Sequence, residues 1–206
     1  MKIRSYTFLI LLVVMASLTS PSHAAHPVRV VNEGGIRDEW MLADGVKLVA
    51  PAYPAAFARR GDNVCVAVGY LINPDGTTSE FSLLKAWASS TRGDKEPEPG
   101  FWAAFAKVGA VALAQWRFKP RPEVASPTPT YTVATMTLMG RQAEDIVVLR
   151  KRCAIEDLAA TKAELERLAK RRPDMNKYQL DKTLRDAART LPPARAGNPS
   201  RSGNPR

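Results

Sequence analysis

Histidine is almost missing from this chain, and that alone removes much catalytic chemistry. Of 206 residues only His23 and His26 are histidine. A Ser-His-Asp arrangement needs an imidazole to take the nucleophile's proton, and here His26 would have to supply it from the end of a processed chain. Cysteine is equally scarce, with only Cys65 and Cys153. Structural zinc takes four Cys or His ligands and catalytic zinc three, so no metal site is expected. There is no glycine-rich phosphate loop and no carboxylate pair at helical spacing beside an apolar pocket signal. The sequence therefore points to a protein that is not an enzyme, with no catalytic residue and no cofactor.

Long apolar runs are lacking too. The one candidate is FLILLVVMA, Phe8 to Ala16, well short of the about 20 residues that span a bilayer. Lys2 and Arg4 precede it, Pro21 follows, and Ser22-His23-Ala24 places small residues at the −3 and −1 positions of a cleavage site. This is the grammar of an export signal over 1–24, with the mature chain starting near Ala25. The alternative is a retained anchor facing the same compartment. No cysteine lies near the cleavage site, so a lipid anchor is not expected.

Charge of one sign is concentrated, not spread. Residues 25–140 hold 12 Lys and Arg against 11 Asp and Glu, a net of +1, whereas 141–206 hold 16 against 9, a net of +7. The basic character belongs to the C-terminal third, where solvated helices explain it better than nucleic acid does in an exported protein. A weak attraction to anionic membrane or cell-wall polymers is compatible with it. Export also implies an oxidising compartment, where the default for Cys65 and Cys153 is one disulfide; the alternative is two separately buried thiols.

What is present is a run of patterned segments. Residues 25–48 form a lead-in, with a short strand through Val28, Val30 and Val31 and a second extended piece over 46–49. Pro51-Ala52-Tyr53-Pro54 opens a helical turn or two over 55–60, ended by Gly61. Val64, Val66, Val68, Tyr70 and Ile72 then alternate on one face of a strand. Asn73-Pro74-Asp75-Gly76 is a hairpin turn. A second strand returns over 78–87, with Phe81, Leu83 and Trp87 on one face. The period over 101–116 is helical, and Trp116-Arg117-Phe118-Lys119-Pro120 closes that helix. A Pro-rich loop over 121–129 leads to a third strand over 130–139. The expected fold class is α+β, in two layers: a three-stranded antiparallel sheet with helices on one face.

The remainder is a C-terminal helical extension over 141–191. Ile155, Leu158, Leu165 and Leu168 make a narrow stripe on a helix running from about 144 or 154 to 172, and Pro173 stops it. A second helix is expected over 175–191, followed by a disordered basic tail over 192–206. The stripe is either a seam for a partner or a face that packs on the protein's own sheet. The second choice is favoured by Cys65, Ala67, Gly69 and Leu71, with Leu84 and Ala86 beside them, because a solvent-facing sheet surface is normally polar. A Cys65–Cys153 disulfide would hold the extension across that face.

Taken in order, these residues resemble the C-terminal domain of the TonB family over 49–140. The resemblance rests on Pro51, Tyr53 and Pro54, on Asp75 and Gly76 in the hairpin, on Leu83-Leu84-Lys85-Ala86, and above all on Trp116, Arg117, Phe118, Lys119 and Pro120. It implies a periplasmic binding module whose partners are outer-membrane TonB-dependent receptors or other envelope proteins. The partner's extended segment would be added as a strand to the edge of the last strand, at Tyr131, Thr132, Val133, Ala134, Thr135, Met136 and Thr137. Two alternatives remain: a short signal-anchored energy transducer coupled to ExbB and ExbD, and an envelope interaction protein acting through its basic extension. The roughly 25 residues before Pro51 reach only about 80 Å when extended, which disfavours the transducer.

Overall fold

A strand through Val64 to Ile72 has no polar face, because its valines alternate with Cys65, Ala67 and Gly69. In the computed structural model, which describes residues 27–171, this is β3 (Val64–Ile72), and all nine of its residues are buried. Such a strand must be paired on both edges and covered on both faces. β4 (Thr78–Ala88) pairs with it antiparallel on one edge and β6 (Thr130–Leu138) antiparallel on the other. β1 (Arg29–Val30) then lies parallel on the outer side of β6, giving the order β1-β6-β3-β4. A separate antiparallel ribbon joins β2 (Trp40–Leu42) to β5 (Phe118–Pro120).

The α+β class stands, but the two-layer, three-stranded arrangement is corrected on two counts. The main sheet has four strands, because the lead-in supplies β1. Helices cover both faces, not one. α1 (Phe101–Leu113) buries Phe101, Phe105 and Leu113 against Val64, Val66, Val68, Tyr70 and Ile72. α2 (Ile146–Arg152) and α3 (Leu158–Arg171) lie over the opposite face, where Leu149, Cys153 and Leu158 join Cys65, Ala67, Leu71, Tyr131 and Val133 in a second apolar cluster. Cys65 and Cys153, 88 positions apart, are joined in a disulfide with Cα atoms 5.9 Å apart. Gly69 has the same origin: the Tyr131 ring crosses it where a Cβ would collide with the phenol oxygen, and that oxygen lies 2.6 Å from the Ser82 hydroxyl.

Other departures are local. The register of β4 against β3 slips at Leu84 and again near Glu80, which has φ 51°. The slip at Leu84 turns Trp87 into the second cluster and Ala86 into the first, the reverse of simple alternation. Residues 46–49 form no strand; Trp40–Leu42 does so instead. The turn at Ala55–Phe57 is a single 3₁₀ turn. α1 ends at Leu113, and Phe118–Pro120 becomes β5, so the Trp116–Pro120 segment does more than stop a helix. The extension breaks at Cys153, with Asp145 capping α2 and Asp157 accepting from the Ala160 amide at the start of α3. The expected signal over 1–24, the helix over 175–191 and the tail over 192–206 lie outside the described residues.

The hairpin turn ties the two sheets together. Gly76 has φ 78°, a left-handed conformation suited to glycine, and its carbonyl accepts from the Phe118 amide at 2.9 Å. A Cβ at Gly76 would run into the Phe118 carbonyl. Gly76→Ala therefore combines strain with backbone collision, and a loss of about 2 kcal/mol or more is expected in urea unfolding. Asp75 Oδ1 accepts from the Thr77 hydroxyl at 2.6 Å and the Thr77 amide at 2.9 Å, bonds that hold its carboxyl below the ordinary value. A depressed folded value stabilises above the unfolded one. The stability advantage of wild type over Asp75→Asn should be complete at pH 7 and shrink as pH falls below about 4 toward the lower folded value; urea melts at several pH values check it.

Candidate functional site

The last strand has the composition of a sheet edge that can accept a partner: β-branched and small residues, with no proline or charge over 130–138. Its inner edge is fully committed, pairing with β3 from Thr130↔Ile72 to Leu138↔Val64. Ala134, Met136 and Leu138 point into the α1 core, and Tyr131 and Val133 into the extension cluster. Its outer edge is the candidate site.

That outer edge already holds an extended segment, and the segment is the chain's own lead-in. The Arg29 amide donates to the Pro129 carbonyl at 2.9 Å and the Val31 amide to the Tyr131 carbonyl at 3.0 Å. The chain then swings away, and side chains take over. Glu33 Oε1 accepts from the Thr135 backbone amide at 2.8 Å and from Arg150 Nη2 at 2.6 Å. Asn32 Oδ1 accepts from the Leu158 amide at 2.9 Å, while its Nδ2 donates to the Glu156 carbonyl at 2.8 Å. One asparagine thus joins the lead-in to the break between α2 and α3, and one glutamate joins it to β6 and α2.

The stretch expected to receive a partner strand, Tyr131 to Thr137, meets the lead-in on its outer edge. Tyr131 carries a strand partner, Val30, and the Thr135 amide is taken by a carboxylate. Residues Thr132, Val133, Ala134, Thr135 and Met136 are all buried. The fit is not complete: the Thr135 hydroxyl is buried with no hydrogen-bond partner among the described residues. Neither Asn32 nor Glu33 was identified from sequence. An Asn-Glu-Gly-Gly stretch after a short apolar run reads as a turn, and nothing local reveals that its side chains reach residues over a hundred positions away.

The motif residues that carry the family resemblance sit elsewhere and act on each other. The Trp116 indole donates to the Val49 carbonyl at 3.1 Å, and its ring meets Tyr70 edge-on. Arg117 Nη1 donates to the Ala114 carbonyl at 2.7 Å, closing the end of α1. Phe118 docks the Asp75-Gly76 turn, and Lys119 pairs with Asp44. Tyr53, between Pro51 and Pro54, donates to the Asp62 carbonyl at 3.0 Å and packs edge-on against Phe105. These residues build the α1 side of the domain.

A shallow polar depression of about 360 Å³ is lined by Asn63, Trp87, Glu144 and Arg152, among others. Its groups are largely committed to one another: Asn63 Nδ2 donates to Glu144, and the Arg152 guanidinium pairs with Glu144 and lies 4.2 Å from the Trp87 ring centroid. It orders the link between β6 and α2. Among the described residues no group of three or more His, Cys, Asp or Glu is placed to hold a metal, and no helix is long and apolar enough to cross a membrane.

No family model matches the chain, and no curated protein matches it significantly. Among solved structures it is similar to the solution NMR structure of the Pseudomonas aeruginosa TonB CTD, at 19% identity over 51% of this chain and 90% of that one, with a TM-score of 0.36.

The disulfide fixes the platform on which the lead-in rests, since Cys153 ends α2 and Arg150 is on it. Replacing both cysteines by alanine should lower stability by about 4–5 kcal/mol in the chain-entropy model for a closed loop of this length. Urea unfolding under oxidising conditions measures it, and an unchanged midpoint would contradict the assignment.

Proposed function

We propose that this chain is a TonB-like binding module of the periplasm that takes up extended peptide segments, such as those of outer-membrane receptors, by strand addition at the outer edge of β6. One observation carries this reading: that edge already binds an extended segment through backbone hydrogen bonds, at Pro129 and Tyr131. An edge that accepts one strand by main-chain bonding can accept another, because such bonds place little demand on sequence. Support also comes from the ordered motif residues, from Pro51 through Asp75 and Gly76 to Pro120. The Cys65–Cys153 disulfide fits an oxidising compartment, in keeping with the export signal.

A second reading, contact with anionic membrane or cell wall, is favoured by one patch. Ile146, Val147 and Val148 are 55%, 57% and 46% exposed, and Arg150, Lys151 and Arg152 follow them on the same short helix. Salt separates the two readings. Binding to anionic vesicles through this patch should weaken steeply with ionic strength, whereas strand addition, which rests mainly on main-chain bonds, should weaken far less.

The test is a fluorescence-anisotropy titration of the oxidised protein with a panel of segments from outer-membrane receptors. Saturable binding is expected, reduced at least tenfold by Thr137→Pro. Position 137 shares the parity of Thr135, whose amide points away from β3, so proline there should spare the inner ladder. No binding to any segment would remove the function and leave the fold as described.

A further inference from the structure

Residues 29–33 have the features of a ligand as much as those of a scaffold. They run extended and parallel to β6. Their main-chain contribution is short: the two-residue strand pairing with Thr130 and Tyr131, with the Arg29 and Val31 amides donating to Pro129 and Tyr131. Everything after that is side-chain recognition by groups that belong to other elements. Val30 packs against the apolar cluster under the extension. The Asn32 amide is gripped by the Leu158 amide and the Glu156 carbonyl. The Glu33 carboxylate is read by a backbone amide of β6 and by the Arg150 guanidinium. A carboxylate held by a cation and a main-chain donor is a charge-assisted arrangement, stronger than neutral hydrogen bonds.

β6 extends well past this contact. Strand pairing with β1 covers only Thr130 and Tyr131, whereas β6 continues to Leu138. Further along, the Thr132 hydroxyl donates to the Asn32 carbonyl at 3.4 Å and Glu33 takes the Thr135 amide, while the Thr135 hydroxyl beside it is buried with no partner among the described residues. Buried polar groups are normally satisfied. The lead-in therefore fits the start of the edge well and the middle incompletely, as expected of a stand-in shorter than the segment the edge can hold.

We propose that the lead-in is a built-in surrogate ligand, and that the edge selects partner segments carrying an acidic side chain four positions after the first residue bonded to β6. This rests on the strand-addition reading above and names its ligand class: an extended, acidic segment running parallel to β6, with an apolar residue facing the extension. Arg150 and the Thr135 amide are the groups that read the carboxylate. Asn32 is the latch that keeps the surrogate seated, because it ties residues 29–33 to the disulfide-held extension.

The experiment uses the full oxidised chain and a labelled peptide of its own residues 27–35. Val31→Pro with Asn32→Ala removes one edge bond and the latch. The peptide is expected to bind this double variant at least tenfold more tightly than wild type. Changing Glu33 to Gln in the peptide, or Arg150→Ala in the protein, should each weaken that binding about fivefold or more. Equal binding to both chains, or binding indifferent to the carboxylate, overturns the proposal. Glu33→Gln alone, a milder change, guards against misfolding of the double variant: amide exchange at Thr135 should speed up at least tenfold, and unchanged exchange also overturns the proposal. Receptor segments are titrated in parallel to separate the two levels. If they bind wild type while the lead-in peptide fails on the double variant, the surrogate falls and strand addition stands. If the peptide behaves as expected and no receptor segment binds either chain, the surrogate stands and the proposed class of partner falls.

Discussion

The constraint on which this structure depends is that β3 is apolar on both faces. Val64, Val66, Val68, Tyr70 and Ile72 need one cover, and Cys65, Ala67 and Leu71 need another. α1 answers the first need from within the same 49–140 region. The second can be met only by the chain beyond β6. Hence the extension is part of the core: Leu149, Cys153 and Leu158 are fully buried, and burying three such side chains contributes several kcal/mol, at about 1.5–3 kcal/mol for each large one. The disulfide from Cys65, the first residue on β3's second face, to the end of α2 fixes the cover in place.

That cover has a consequence at the sheet edge. Once α2 and the start of α3 lie over β6, the Arg150 side chain, the Glu156 carbonyl and the Leu158 amide stand along its outer side. A lead-in passing there finds main-chain partners on β6 and side-chain partners on the extension. The two ends of the domain therefore meet over one strand, although 130 and 29 are far apart in sequence. An unpaired edge invites unwanted association, and the lead-in lowers that hazard at the start of β6 with a very short strand.

Much of this was legible in the sequence wherever the signal was local. The two-faced run at 64–72 and the Asn-Pro-Asp-Gly turn gave the hairpin, and the small apolar residues opposite the valines gave a covered second face. The cysteine pairing followed from that face together with compartment chemistry. What escaped was set by partners distant in sequence. Trp40-Met41-Leu42 is too short for any period to register, and becomes a strand only because Phe118–Pro120 lies beside it. The slip at Leu84 reverses the side chains after it, yet nothing in Leu83-Leu84-Lys85 distinguishes a bulge from regular strand. The site was half legible. The choice of β6 came from resemblance, but Asn32 and Glu33 sit in a turn-like stretch whose function depends wholly on residues 100 or more positions away.

The strength of the closure decides whether the edge can serve a partner at all. The main-chain bonds of Arg29 to Val31, the Asn32 contacts and the Glu33 contacts hold the lead-in. Each neutral bond adds only about 0.5–1.5 kcal/mol net, and those to a charged group about 1.5–3 kcal/mol. These contacts are reinforced by tethering, which gives a short connected segment an effective concentration in the millimolar range. A partner that merely copied residues 29–33 would lose to the tethered copy unless it were abundant. One that also paired with β6 beyond Tyr131 would gain bonds the lead-in never makes, since strand pairing with the lead-in stops there while β6 runs on to Leu138. Length along β6, more than affinity at its first residues, is therefore what would let a partner strand displace the lead-in.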